Sequence, residues 1–147
     1  MALTTETKGE FKGWKTWTNE AFENFVAGPF YFTEDDQGPK CAFRADTKHL
    51  NAGGVVHGGC MMTFADFSLF AIAHKDMQGL PGVTVSFASE FMRGPVVGDL
   101  VEARGEVLRA GGSLVFIRGI LSVDGQPCLN YSGTIKKIRR KLNTGKI

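Results

Sequence analysis

A histidine set between two glycine pairs, followed by an apolar run with one carboxylate in its middle, constrains this chain more than any other feature. The segment Asn51 to His74 reads N-A-G-G-V-V-H-G-G-C-M-M-T-F-A-D-F-S-L-F-A-I-A-H. Gly53-Gly54 and Gly58-Gly59 bracket Val55-Val56-His57, and paired glycines are poor helix formers, so the chain there reads as a shaped loop. From Gly59 on, the apolar residues Met61 to Ile72 leave no polar stripe, which predicts a helix buried all round that ends near Gly79-Leu80-Pro81-Gly82. Asp66 would share a face with Met62, Leu69 and Phe70 at the i−4, i+3 and i+4 positions. A carboxylate so placed costs several kcal/mol unless it is paired, hydrogen-bonded or put to use. Asp66 is therefore the first candidate for a functional group, and the competing reading is a structural aspartate that caps a neighbouring loop.

The rest of the chain supplies a frame for that helix. Residues from Met1 to about Lys12 are polar and read as frayed. Thr18 can cap a short helix, Asn19 to Ala27, with Ala21, Phe22, Phe25 and Val26 on one face, so that about residues 1–28 form a helical extension of a single domain, 1–147. Phe30-Tyr31-Phe32 and Cys41-Ala42-Phe43 flank D-D-Q-G and read as strand, turn and strand. After the helix the period changes to two. Val83, Val85, Phe87, Ser89 and Phe91 alternate with Thr84, Ser86, Ala88, Glu90 and Met92, and strands follow over Asp99 to Arg109, Ser113 to Val123 and Pro127 to about Ile138. Asp124-Gly125 is a hairpin turn signal. A buried helix followed by an antiparallel meander predicts an α+β domain with the sheet wrapped on that helix. Open sheet edges need cover, which makes edge-to-edge pairing in a dimer a reasonable expectation.

Composition excludes several classes. A formal net charge of +2 over 147 residues is too small to argue for nucleic acid. No apolar run reaches the ~18 residues of a membrane span, and the first residues lack the apolar core of a secretion signal, so no membrane partner and a cytoplasmic location are expected. Cys41, Cys60 and Cys128 are odd in number without C-x-x-C spacing, and read as reduced core thiols. His49, His57, His74 and Cys60 show no metal-ligand spacing, so neither metal nor cofactor is expected.

The pattern Asn51-(five residues)-His57-Gly58-Gly59-(six residues)-Asp66 resembles the signature of hotdog-fold acyl-CoA thioesterases, above all the PaaI-type group of phenylacetate pathways. The likeness continues through G-V-T-V-S-F-A-S-E-F-M-R-G-P-V-V-G-D-L-V-E-A and covers roughly residues 40 to 138. It implies hydrolysis of an acyl-CoA, with Asp66 as nucleophile or general base and the Gly58 N–H as oxyanion donor. It gives Asn51 the polarising of the carbonyl or the placing of water, Thr84 the holding of water near the acid, and His57 the support of the loop. It also implies a homodimer or dimer of dimers whose sites lie at the interface, the Asn–Gly loop from one subunit and the acid from the other.

Physical chemistry agrees with those roles. A helix N-terminus after glycines presents N–H groups to a developing oxyanion. Asp66 lies too deep for the helix dipole alone to hold its charge, so neighbouring donors must help. Gly59 and Met62 are candidate substrate contacts. The turn Arg109-Ala110-Gly111-Gly112-Ser113 offers backbone donors, and Lys136, with Lys137, Arg139, Arg140 and Lys141, offers charge for coenzyme A phosphates. The competing functions are an acyl-CoA-binding sensor on the same fold, disfavoured by the intact Asp66–Asn51–Gly58 set, and a hotdog dehydratase or hydratase. The aromatic N-terminal residues suit arylacetyl or longer aliphatic groups without choosing between them.

Overall fold

The computed structural model describes residues 3–139; Arg140 and Lys141 of the basic tail lie outside them. Strands β1 (Leu3–Thr5), β2 (Lys15–Trp17), β3 (Tyr31–Asp35) and β4 (Gly38–Arg44) precede the helix α1 (Gly58–Ile72). Strands β5 (Gly82–Phe91), β6 (Leu100–Ala110), β7 (Leu114–Val123) and β8 (Gln126–Lys137) follow it. All pair antiparallel in one sheet of order β1-β2-β3-β4-β6-β7-β8-β5. Strand β5, which directly follows the helix, crosses over to the far edge, so one of its sides has no strand partner among the described residues. This is the expected α+β architecture of a sheet wrapped around one helix.

Period-two alternation does its expected work in β7, where Val115, Ile117, Leu121 and Val123 are buried and Leu114, Phe116 and Ile120 face outward. The inner face meets α1 at Phe64, whose ring lies 5.0 Å from Phe30 and 4.8 Å from Phe43, and at Leu69 and Ile72. Glycines let the helix sit unusually close to the sheet. A Cβ built on Gly133 of β8 would fall 2.3 Å from Leu69 Cδ1, and one on Gly105 of β6 would fall 2.9 Å from Ile72 Cδ1. The buried Tyr131 hydroxyl occupies the space a side chain at Gly119 would need, and pairs with Ser68 on the helix.

Three expectations change. First, α1 is not buried all round: Gly59, Met62, Thr63, Asp66 and Phe70 form a partly open stripe on the side the sheet does not cover. The stripe was hidden because its members are mostly apolar. Second, residues 3–12 are ordered against the sheet; Glu6 N donates to Trp14 O at 2.8 Å and Phe11 stacks on Tyr31 at 4.6 Å. Third, the helix expected from Asn19 to Ala27 shrinks to a π-helical turn, Glu23–Ala27, with Phe22, Phe25 and Val26 exposed. The residue that turns inward is Asn24, because backbone groups at this crossing need partners. Its Nδ2 donates to Trp17 O and Thr16 Oγ1, and its Oδ1 accepts from Phe30 N.

Replacement of Gly133 by alanine should overpack the helix–sheet seam and lower stability by about 1–3 kcal/mol in urea unfolding. The exposed Gly125→Ala change should cost less, since no atom lies within 4 Å of a Cβ there and only its positive φ of 75° is strained.

Candidate active site

Asp66 is held from across the helix–sheet seam. Thr84 Oγ1 on β5 donates to Asp66 Oδ1 at 2.6 Å. A strict alternation would not place Thr84 and Phe87 on the same side of β5. The β5–β8 register shifts between Thr84 and Ser86, so Thr84 reaches the helix while Phe87 stacks on Tyr131. Such bulges re-aim side chains and cluster at functional sites. Asp66 is half-buried and opens into a cavity of about 240 Å³ walled by Trp17, Ala21, Phe67, Phe70 and Glu23. Burial pushes its carboxyl above the usual range, the Thr84 bond opposes that shift, and the charge of Glu23 adds to it.

The glycine loop is built around Asn51 and His57. Asn51 Oδ1 accepts from Gly53 N at 2.9 Å and Val55 N at 3.3 Å, which closes the loop and leaves Nδ2 without a partner among the described residues. Val56 N donates to Pro95 O and His57 N to His49 O, both at 2.7 Å. His57 caps α1, its Nδ1 accepting from Gly59 N at 2.8 Å. The Gly58 N–H has no partner among the described residues and lies at the positive end of the helix dipole. Neither glycine tolerates a side chain without movement: a Cβ on Gly58 would lie 3.0 Å from the Phe91 ring, and one on Gly59 2.9 Å from His57 Nδ1.

The loop donors and the acid are not neighbours within one protomer. Gly58 and Asp66 lie eight residues apart on α1, about 12 Å along the axis. Asn51 and Gly58 border a cavity of about 330 Å³ with Phe91 and Arg93, at the opposite end of β5 from Thr84.

The remaining candidates divide in the same way. Met62 is exposed one turn before Asp66. Arg109 and the turn Gly111-Gly112-Ser113 lie at the β6–β7 end of the sheet with Lys136, which faces Leu114 and Val83 in register, next to Thr84. Gly111 N already donates to Leu114 O, so it is not a free donor; Gly112 O accepts from Arg139 and Ser113 O from Lys137 N. His49 donates Nε2–H to Ala27 O, and the His74 ring packs 6.0 Å from Phe32. Cys60 is no nucleophile at neutral pH, because burial pushes its thiol up to about 11. Glu23 and Arg93 escaped the sequence reading: one lay in a presumed surface helix, the other in a loop with no distinguishing neighbour.

With this geometry in view, the comparison with known proteins is direct. The sequence model of the thioesterase superfamily matches residues 53–128, a span that begins at Gly53 in the loop, just after Asn51, and holds the acid and the edge strand. The chain belongs to the thioesterase superfamily. It is a thioester hydrolase. A provisionally named esterase of Pseudomonas aeruginosa is 37% identical over 93 residues, covering 62% of this chain and 69% of that one. The PaaI protein from the phenylacetic acid degradation operon of E. coli superposes with a TM-score of 0.65 at 20% identity, covering 74% of this thioesterase and 79% of PaaI. A Streptococcus mutans protein solved bound to acetyl CoA superposes with a TM-score of 0.68 at 18% identity, covering 82% and 97%. These structural likenesses establish the hotdog fold.

The sign of the Asp66 shift gives a stability prediction. Its folded-state pKa is raised, so the folded thioesterase binds this proton more tightly than the unfolded chain does. Ionisation of Asp66 therefore costs stability as pH rises above the ordinary carboxylate value, and the cost persists at neutral pH. Asp66→Asn, whose amide oxygen still accepts from Thr84, should melt at or above the parent near about pH 7 and lose that advantage near about pH 3. Thermal unfolding at both values checks it, and a variant less stable at both would contradict the electrostatic account.

Proposed function

We propose that this thioesterase hydrolyses an acyl-CoA to the free acid and coenzyme A in a site completed by two copies of the chain. The observation that carries the reading is the division of parts along β5: a carboxylate with its Thr84 donor at one end, free oxyanion donors at the other. An edge strand that pairs antiparallel with its own copy about a two-fold axis sets the start of one β5 beside the end of the other. Asp66 and Thr84 of one subunit then face Asn51 and Gly58 of the second, twice per dimer. The exposed apolar residues Val83, Val85, Phe91 and Met92 along that edge support such a contact.

In this site the thioester carbonyl lies against the Gly58 N–H and Asn51 Nδ2, which gain strength as negative charge develops on oxygen. Asp66 either attacks the carbonyl carbon or removes a proton from the attacking water, while Thr84 fixes the orientation of the carboxylate. His57 holds the helix terminus through Gly59, and Met62 extends the stripe along which the acyl group lies. Arg109, Lys136 and the Gly112–Ser113 turn, gathered at the Thr84 end of the sheet, suit the phosphates of coenzyme A. The reading calls for no metal and no cofactor. The coenzyme-bound Streptococcus mutans relative supports the ligand class.

Free-thiol release should be measured over a panel from acetyl to palmitoyl, with phenylacetyl and hydroxybenzoyl esters included. Asp66→Asn should lower kcat at least about 100-fold with binding retained. Asn51→Ala should lower kcat by roughly 100- to 1000-fold with little change in KM. Release from every ester unaffected by Asp66→Asn would remove the assignment.

A mixing experiment tests the shared site. Asp66→Asn and Asn51→Ala proteins, each inactive, should regain about a quarter of parent activity after subunit exchange at equal amounts. Half of the dimers are then mixed, and each carries one intact site of two. No recovery despite demonstrated exchange would place the whole site within one subunit.

A further inference from the structure

The cavity beside Asp66 holds a second carboxylate that none of these roles employs. Glu23 faces it from the N-terminal turn, among walls otherwise apolar: Trp17, Ala21, Phe67 and Phe70. Its side chain makes no ion pair or hydrogen bond among the described residues. Leaving a half-buried carboxylate unpaired in such surroundings is costly. Yet the backbone that carries it is held firmly. Asn24, the next residue, is 5% exposed and binds three oxygen atoms and one N–H, on Thr16, Trp17, Thr18 and Phe30. The far end of the turn is tied by His49 Nε2 to Ala27 O at 2.6 Å and by the Lys48 ammonium to Gly28 O. A π-helical turn of this kind, fixed by polar bonds instead of apolar burial, is a device that aims a side chain.

We propose that Glu23 is a positioning residue for hydrolysis, a carboxylate that shares the cavity with Asp66 and keeps it a reactive base. The inference rests on the assignment of Asp66 made above. Two carboxylates that line one small, largely apolar cavity repel more strongly than in water. Of the groups that face Asp66, Thr84 on β5 is uncharged, α1 itself contributes only Phe67 and Phe70, and the turn contributes Glu23. Among the described residues no cation lines the cavity, although the buried Lys137 of β8 stands in register with Gly82, which does. The direction of the Asp66 shift agrees, with burial its largest cause and Glu23 an added one.

The test separates the charge from the shape. Glu23→Gln keeps the size of the side chain and removes its charge. The acid limb of its kcat/KM profile should move to lower pH, with activity on that limb rising relative to the plateau. Glu23→Asp should keep the parent profile, and Thr84→Val should move the limb the opposite way. Carbon-13 NMR titration of the Asp66 carboxyl, assigned by its loss in Asp66→Asn, reads the same displacement without turnover. Should Glu23→Gln fold poorly, Glu23→Ser removes the charge with a smaller side chain and is read identically. An unchanged Asp66 midpoint in the uncharged variants would overturn the proposal, as would a moved midpoint with an unmoved acid limb. Full activity of Asp66→Asn would instead overturn the assignment of the acid itself.

Discussion

The close seat of α1 on the curved sheet is the constraint on which the site depends. Leu69 and Ile72 approach the backbone of β8 and β6 so nearly that only glycine fits at Gly133 and Gly105. That approach fixes the height of the helix over the sheet, and with it the reach of Thr84 Oγ1 to Asp66. The phenylalanine cluster of Phe30, Phe43 and Phe64 locks the same helix at its middle. Held at both places, the N-terminus of α1 and the acid two turns along it keep a constant spacing, as a composite site requires.

Two opposing terms then set the character of the carboxylate. Burial disfavours its charge and a hydrogen bond from Thr84 favours it, so Asp66 stays able to ionise while remaining more basic than an exposed aspartate. At the other end of β5 the polar groups are arranged for the opposite charge. The Asn51 carbonyl is consumed by the loop while its amide donors are left free, and His57 takes the Gly59 N–H while that of Gly58 stays unpaired. Free donors at a helix N-terminus are costly to leave without a ligand, and a developing oxyanion is the ligand they suit.

Much of this could be read before the structure. The glycine pairs, the isolated Asp66 and the change of period after residue 82 predicted the loop, the helix and the strands of the meander, although the helix stops at Ile72 and not near Gly79–Gly82 as expected. What misled was composition read without geometry. Met62 and Phe70 look like core, yet they lie on the uncovered stripe of α1 beside Asp66, since a sheet covers a helix on one side only. Phe22, Phe25 and Val26 look like the buried face of a helix, yet the bonds of Asn24 turn them outward.

The sequence by itself determined which residues are chemically out of place: an acid in an apolar helix, glycines where the backbone must be approached, a histidine and an asparagine in a loop. These follow from local preference and the cost of burial, which each residue carries wherever it stands. The tertiary structure alone decided which of them meet. The β5 bulge brought Thr84 to Asp66, the crossing of β5 to the sheet edge left that strand open beside the helix, and the tied turn put Glu23 in the cavity that holds the acid. Those are matters of register and long-range pairing, and a one-residue shift that leaves the composition untouched moves a side chain to the other face of the sheet.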